Sequence, residues 1–135
     1  MIFLSSPTLL RITFYSALPV TPKYLDVKGL ELLLKTISKV RKQINPNLEI
    51  GGILLTMVDM RINFTKEIIL MVEEAYGGKI NIFKDYIPLS VRAAETCATG
   101  KSIFLHDPRG KVAAAYEALA KNVLKWSVEG VTEVA

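Results

Sequence analysis

One cysteine, Cys97, and one histidine, His106, are all that this 135-residue chain offers to thiol or imidazole chemistry. A single thiol excludes an internal disulfide framework and any multi-cysteine zinc or iron–sulfur centre. A single imidazole excludes paired-histidine metal motifs, so no metal site is expected. No stretch reaches the roughly 18 apolar residues that a membrane-spanning helix needs, and no membrane partner is expected. Residues 1–20 lean apolar, but no Lys or Arg precedes their apolar part, and Arg11 interrupts it. No A-x-A-like cleavage site follows, which argues against a secretory signal. The lone cysteine fits a reducing cytoplasm, the expected location. Internal repeats and low-complexity runs are also absent.

What remains is the material of a core. Half of the residues are hydrophobic, mean hydropathy is +0.31 and 22% are charged, which excludes a disordered chain. The length suits one domain or a piece of a larger one. Seventeen basic against thirteen acidic residues leave a net charge of +4. That balance allows an anionic partner without demanding one.

Apolar spacing then sets the elements. Leu30, Leu33, Leu34, Ile37, Val40 and Ile44 recur at 3.6-residue periodicity, predicting a helix over 26–44 with Asp26 as its N-cap. Lys28, Lys35, Lys39 and Lys42 fall opposite them as a wet face. Asn45-Pro46-Asn47 ends the helix. Residues 50–58 (IGGILLTMV) form an unalternating apolar run, the mark of a strand covered on both faces. A second helix is expected over 65–76, capped by Thr65 and stopped by Gly77-Gly78, then a strand from Ile80 to Ile87. Ser90 is placed to cap a short helix ending at Gly100, and Ile103 to Leu105 reads as a short strand. Asp107-Pro108 reads as the start of a last helix running to about Trp126. That helix would bury Val112, Ala113, Tyr116, Leu119, Ala120 and Val123. Residues 127–135 read as a fraying tail, and Cys97 as a small buried hydrophobe. Strand and helix in alternation predict an α/β fold, a parallel sheet flanked by helices. Ligands of such sheets sit beyond the carboxyl ends of the strands. Those ends are Thr56 to Arg61, Ile87 to Arg92, and Leu105 to Arg109.

These loops carry a family pattern. Its pieces are GLELLLKTI over 29–37, NPNLEI over 45–50, GILLTMVDMR over 52–61, IPLSVR over 87–92 with Glu95, GKSI from Gly100, and DPR over 107–109. A last run of Ala, Tyr, Leu and Ala ends at Lys121. From Tyr24 to about Leu124 the chain resembles the carboxyl half of the ParA/Soj partition ATPases, deviant-Walker P-loop proteins related to MinD. The resemblance implies the carboxyl half of a P-loop NTPase-like domain over 21–126, behind a divergent or rearranged segment 1–20. Ser6 to Thr13 can be laid on the family's segment after Walker B, which puts Leu4 where the family has its Walker B aspartate. The K-G-G-x-x-K-T/S phosphate loop does not occur in the 135 residues.

By resemblance, Met57, Asp59, Pro88 and Ser90 stand where the family contacts the nucleotide base, and Arg61 and Arg92 where it carries arginines for nonspecific DNA binding. In place of the family's I-P-R-N loop, this chain has Leu89 and Ser90 for the Arg and Asn. Other readings of the same residues are a Met in the core, an Asp capping a turn, and arginines as solvated surface charge. The resemblance assigns no catalytic residue to this chain. ATP and Mg²⁺ serve the family, and productive binding of them by this chain is not expected. Gly100-Lys101-Ser102 mimics the end of a phosphate loop, but the first glycine position holds Glu95, and the motif follows a helix instead of a strand. His106 reads as a loop or core residue without chemistry. The family also implies nonspecific DNA, a ParB-type partner and an ATP-dependent homodimer. Two functions result: a truncated partition ATPase homologue that binds DNA without hydrolysing ATP by itself, or a non-enzymatic remnant or interaction module.

Overall fold

β1 (Tyr15–Val20) and β2 (Glu49–Leu55) run parallel and side by side in a computed structural model that describes residues 15–134, with side chains over 17–125. The segment from Leu4 to Thr13 lies outside the described residues. The register pairs Ala17 with Gly52, Leu18 with Ile53 and Val20 with Leu55, after an irregularity between Ser16 and Ala17. Parallel neighbours require a crossover, and the 20-residue helix α1 (Tyr24–Gln43) makes it. On its other side β2 bonds a single short stretch. The Ile53 amide donates to the Asn81 carbonyl (2.8 Å), and the Phe83 amide donates to the Ile53 carbonyl (3.0 Å). β2 is thus the middle member, and Gly52, Ile53, Leu54 and Leu55 are all buried. Its lack of alternation has this cause: both faces are covered.

The described residues gather into two compact units, divided after Phe83. The first holds β1, α1, β2 and α2 (Asn63–Tyr76), with Leu18, Leu30, Leu48, Ile53, Leu55 and Val72 as its fully buried side chains. The second holds α3 (Val91–Thr99), the single-turn α4 (Ile103–His106) and α5 (Lys111–Val134). Among the described residues no helix is long and apolar enough to cross a membrane.

Several boundaries differ from the sequence pattern, each for a local reason. Helix α1 begins earlier than expected. Its N-cap is Lys23, and Asp26 sits in the first turn, where it accepts the Thr21 hydroxyl. A carboxylate there still complements the helix dipole. Thr65 is likewise inside α2 and buried, because the loop makes its own turn and the N-cap falls on Ile62. The strand expected over 80–87 shrinks to one bridge between Ile53 and Ile82. The amides of Lys79 and Ile80 turn back to the Tyr76 carbonyl instead. Ile103 to Leu105 is helical, not a strand. With its amides satisfied locally, as in His106 to Ser102 (2.9 Å) and Asp107 to Ile103 (2.9 Å), the segment has no ladder to join. Asp107 closes α4 and its carbonyl accepts the Gly110 amide in a turn, so α5 starts at Lys111 and not at Asp107-Pro108.

The α5 backbone continues past Trp126 to Val134. Val112 and Ala113 are buried in α5, whereas Tyr116, Ala120 and Val123 are exposed and Leu119 is half-buried. Cys97 is exposed on α3, which buries no residue fully, so its thiol packs in no core. One expected cap is present as read. The Ser90 hydroxyl accepts the Ala93 amide (3.4 Å), and Gly100 ends α3 in the left-handed conformation at φ 67°.

Candidate nucleic-acid interface

Beyond the carboxyl end of β2 the chain must turn from strand to α2 within seven residues, Thr56 to Ile62. The turn begins at Met57 with φ 51°, the one non-glycine residue of positive φ among those described. A methionine gains nothing locally from that conformation, so the surrounding structure imposes it. Its side chain is 54% exposed, which places Met57 outside the core. Val58 turns inward and is buried. Asp59 then folds the loop back: the Arg61 amide donates to its Oδ1 (3.1 Å) and the Ile62 amide to its carbonyl (3.2 Å).

The same carboxylate grips the Arg61 side chain. Nε donates to Oδ1 at 2.9 Å and Nη2 to Oδ2 at 2.8 Å. The Asp59 side chain is 14% accessible and that of Arg61 is 89%. The side-chain bonds from Arg61, then its amide, hold the Asp59 carboxyl down at about 2, and the carboxylate raises the guanidinium pKa in return. Because the folded pKa is depressed, the pairing supports the fold above the ordinary carboxylate pKa and is lost as pH falls through about 2. A carboxyl carbon titration should therefore show Asp59 with a midpoint near 2. Arg61→Ala should return it toward the ordinary range. An unchanged midpoint in that variant would show the amide alone to be sufficient.

Pro88, Ser90 and Arg92 belong to the second unit, Met57, Asp59 and Arg61 to the first. Pro88 is half-buried, and the Ser90 hydroxyl is committed to the α3 cap. Arg92 lies in the first turn of α3 with 59% of its side chain accessible, and its Nη1 stands 4.0 Å from Asp107 Oδ1. Sequence reasoning missed the pairing beside it. His106 Nε2 lies 2.8 Å from Glu95 Oε2, joining α3 to α4. No spacing rule links residues eleven apart across a helix end, so the pair is legible only once α4 is known to be helical. Of the lysine face, Lys35 pairs with Glu31 at 3.2 Å, and Lys28 lies 5.5 Å from the Tyr24 ring centroid.

A groove of about 330 Å³ opens at the carboxyl ends of the strands, with Val20, Thr21, Asp26, Gly29, Leu33 and Thr56 in its lining. It too escaped the sequence reading, which assigned no strand to Tyr15–Val20.

The Gly100-Lys101-Ser102 segment does not form a phosphate cradle. Gly100 terminates a helix, and Ser102 precedes a single turn of four residues. A strand-to-helix loop with several helical amides facing outward is not formed there.

No family model matches the chain. Curated proteins do. The chain is 41% identical over 106 residues to the sporulation initiation inhibitor protein Soj of Bacillus subtilis, a match covering 78% of this chain and 41% of that protein. It is 37% identical over 109 residues to the chromosome partitioning protein ParA of Myxococcus xanthus, covering 80% and 38%. The chain belongs to the ParA/Soj family. It spans about two fifths of the length of these relatives. The ParA/Soj-type fold also matches the solved structure of cobyrinic acid a,c-diamide synthase from Mycobacterium smegmatis with bound ATP analog and magnesium. That likeness has a TM-score of 0.66 at 24% identity, over 87% of this chain and 40% of that one. At this identity it speaks for the fold alone: α/β, with parallel strands between helices.

Proposed function

We propose that this ParA/Soj-type chain is a partitioning module that binds DNA without sequence preference and does not hydrolyse ATP by itself. The observation that carries the reading is Arg61. It lies in the segment by which the chain resembles the partition ATPases, beyond the carboxyl end of a buried parallel strand, with its guanidinium accessible to solvent. Arg92 supports it from the first turn of α3. Six basic against two acidic residues between Lys23 and Lys42 add a positive field around α1. Arginines in such positions reach phosphates, which fix orientation but carry no sequence information. The base contacts proposed for Met57, Asp59, Pro88 and Ser90 are secondary, since Asp59 and Ser90 already have partners within the chain. A ParB-type partner and an ATP-dependent homodimer are proposed for the whole protein that the family represents.

The test is an anisotropy titration on unrelated duplexes at 50 and 200 mM salt. Two arginine–phosphate contacts should cost the chain about tenfold in affinity between those concentrations. Arg61→Ala and Arg92→Ala should each weaken binding equally on every duplex and flatten the salt slope by up to about one. If neither variant changes binding and Lys35→Glu abolishes it, α1 is the DNA face instead.

A further inference from the structure

We propose that Asp59 is an intramolecular latch on Arg61, its carboxylate occupying the guanidinium face that a DNA phosphate would take. The inference rests on the reading of Arg61 as a DNA contact.

The geometry of the pair is that of anion recognition. Two nearly equal bonds, Nε to Oδ1 at 2.9 Å and Nη2 to Oδ2 at 2.8 Å, engage one edge of the fork. Arginine offers the same edge to two oxygens of a phosphate. Carboxylate and phosphate are therefore competitors for one donor set. The two halves of the latch differ in freedom. Asp59 accepts the Arg61 amide as well and is mostly covered, so it stays in place when the guanidinium leaves. The Arg61 side chain is 89% accessible and has room to swing. The guanidinium half of the pair is open to water, so a phosphate can reach it and replace the carboxylate. A duplex, which presents many phosphates at once, outcompetes the carboxylate where a single anion does not. Arg92 shows a looser version of the same arrangement, 4.0 Å from Asp107. In each unit, then, the arginine assigned to DNA stands beside a carboxylate of its own chain.

The latch has a consequence that charge counting misses. Closed, the pair is neutral and contributes little to the long-range attraction of DNA. Opened, Arg61 adds a full charge at the phosphate, while Asp59 remains nearby as a repulsive term.

The experiment measures duplex affinity at 50 and 200 mM salt for the full chain, Asp59→Asn, Arg61→Ala and the double variant, with far-UV circular dichroism to confirm folding. Asp59→Asn keeps an oxygen for the Arg61 amide and removes the charge. Asp59→Ser serves as a second variant of the same kind. Both should bind roughly three- to tenfold more tightly at 50 mM salt and steepen the salt slope by up to about one. In the Arg61→Ala background the gain from Asp59→Asn should shrink to about twofold or less, because only a distant charge is then removed. If Arg61→Ala weakens binding while Asp59→Asn and Asp59→Ser bind no better than the parent, the latch is overturned and the DNA reading stands. If Asp59→Asn gains equally with and without Arg61, the effect is bulk charge and the latch is again overturned. If no variant binds a duplex at low salt, both the latch and the DNA reading fall.

Discussion

Gly52→Val should lower the stability of the first unit strongly, and Gly52→Ala measurably. A Cβ built on Gly52 would lie 2.8 Å from Phe83 Cε2 and 3.0 Å from the Asn81 carbonyl oxygen. Neither neighbour can yield. Phe83 is 4% exposed, and the Asn81 carbonyl is the acceptor for the Ile53 amide. Moving it would break one of the two backbone bonds that attach residues 81–83 to β2. Overpacking of this kind costs about 1–3 kcal/mol and occasionally more, so Ala is expected within that range and Val, with two further methyl groups, at or above its top. Gly29→Ala is the control. Gly29 lies within α1, and a methyl group there would meet nothing within 4 Å, so the change should stabilise by about 0.5–1 kcal/mol. Urea melts of the three variants check the signs. A Gly52→Ala variant as stable as the parent would show that Phe83 can repack.

Mixed with ATP and magnesium, the 135-residue chain should release no phosphate above a buffer blank, with or without DNA. Phosphoryl transfer depends on a backbone cradle and a lysine at the β- and γ-phosphates and on a held metal ion. The chain contains no K-G-G-x-x-K-T loop. Its imitation, Gly100-Lys101-Ser102, lies between two helices. Removing one preorganised donor from a catalytic site already costs roughly 10²–10³ in rate, and here the whole cradle is missing. Lys101→Ala should therefore change nothing. Turnover by the parent that Lys101→Ala abolishes would make the Gly100 loop a phosphate site and overturn the prediction.

The sequence alone determined the parallel α/β class, the buried strand after Gly51, the long amphipathic helix before it, and the Ser90 to Gly100 helix with both of its ends. These depend on periodicity, on unbroken apolar runs, and on residues whose caps and left-handed turns are local chemistry. It also placed Arg61 in the loop beyond a strand end, whereas Arg92, expected at a strand end as well, falls inside the first turn of α3. What it left to tertiary structure depends on neighbours distant in sequence. Ile80 to Ile87 and Ile103 to Leu105 have the composition of strands, but a strand exists only where another backbone accepts its bonds. The first segment found one residue's worth of ladder and the second found none. Cys97 looked buried by type, yet α3 has no fully buried face to receive it. The pairing of Glu95 with His106 needed α4 to be a helix, and the grip of Asp59 on Arg61 needed the positive φ of Met57 and the turn that follows it. Residue type and spacing propose such partners, but only the packed backbone decides which of them lie within bonding distance.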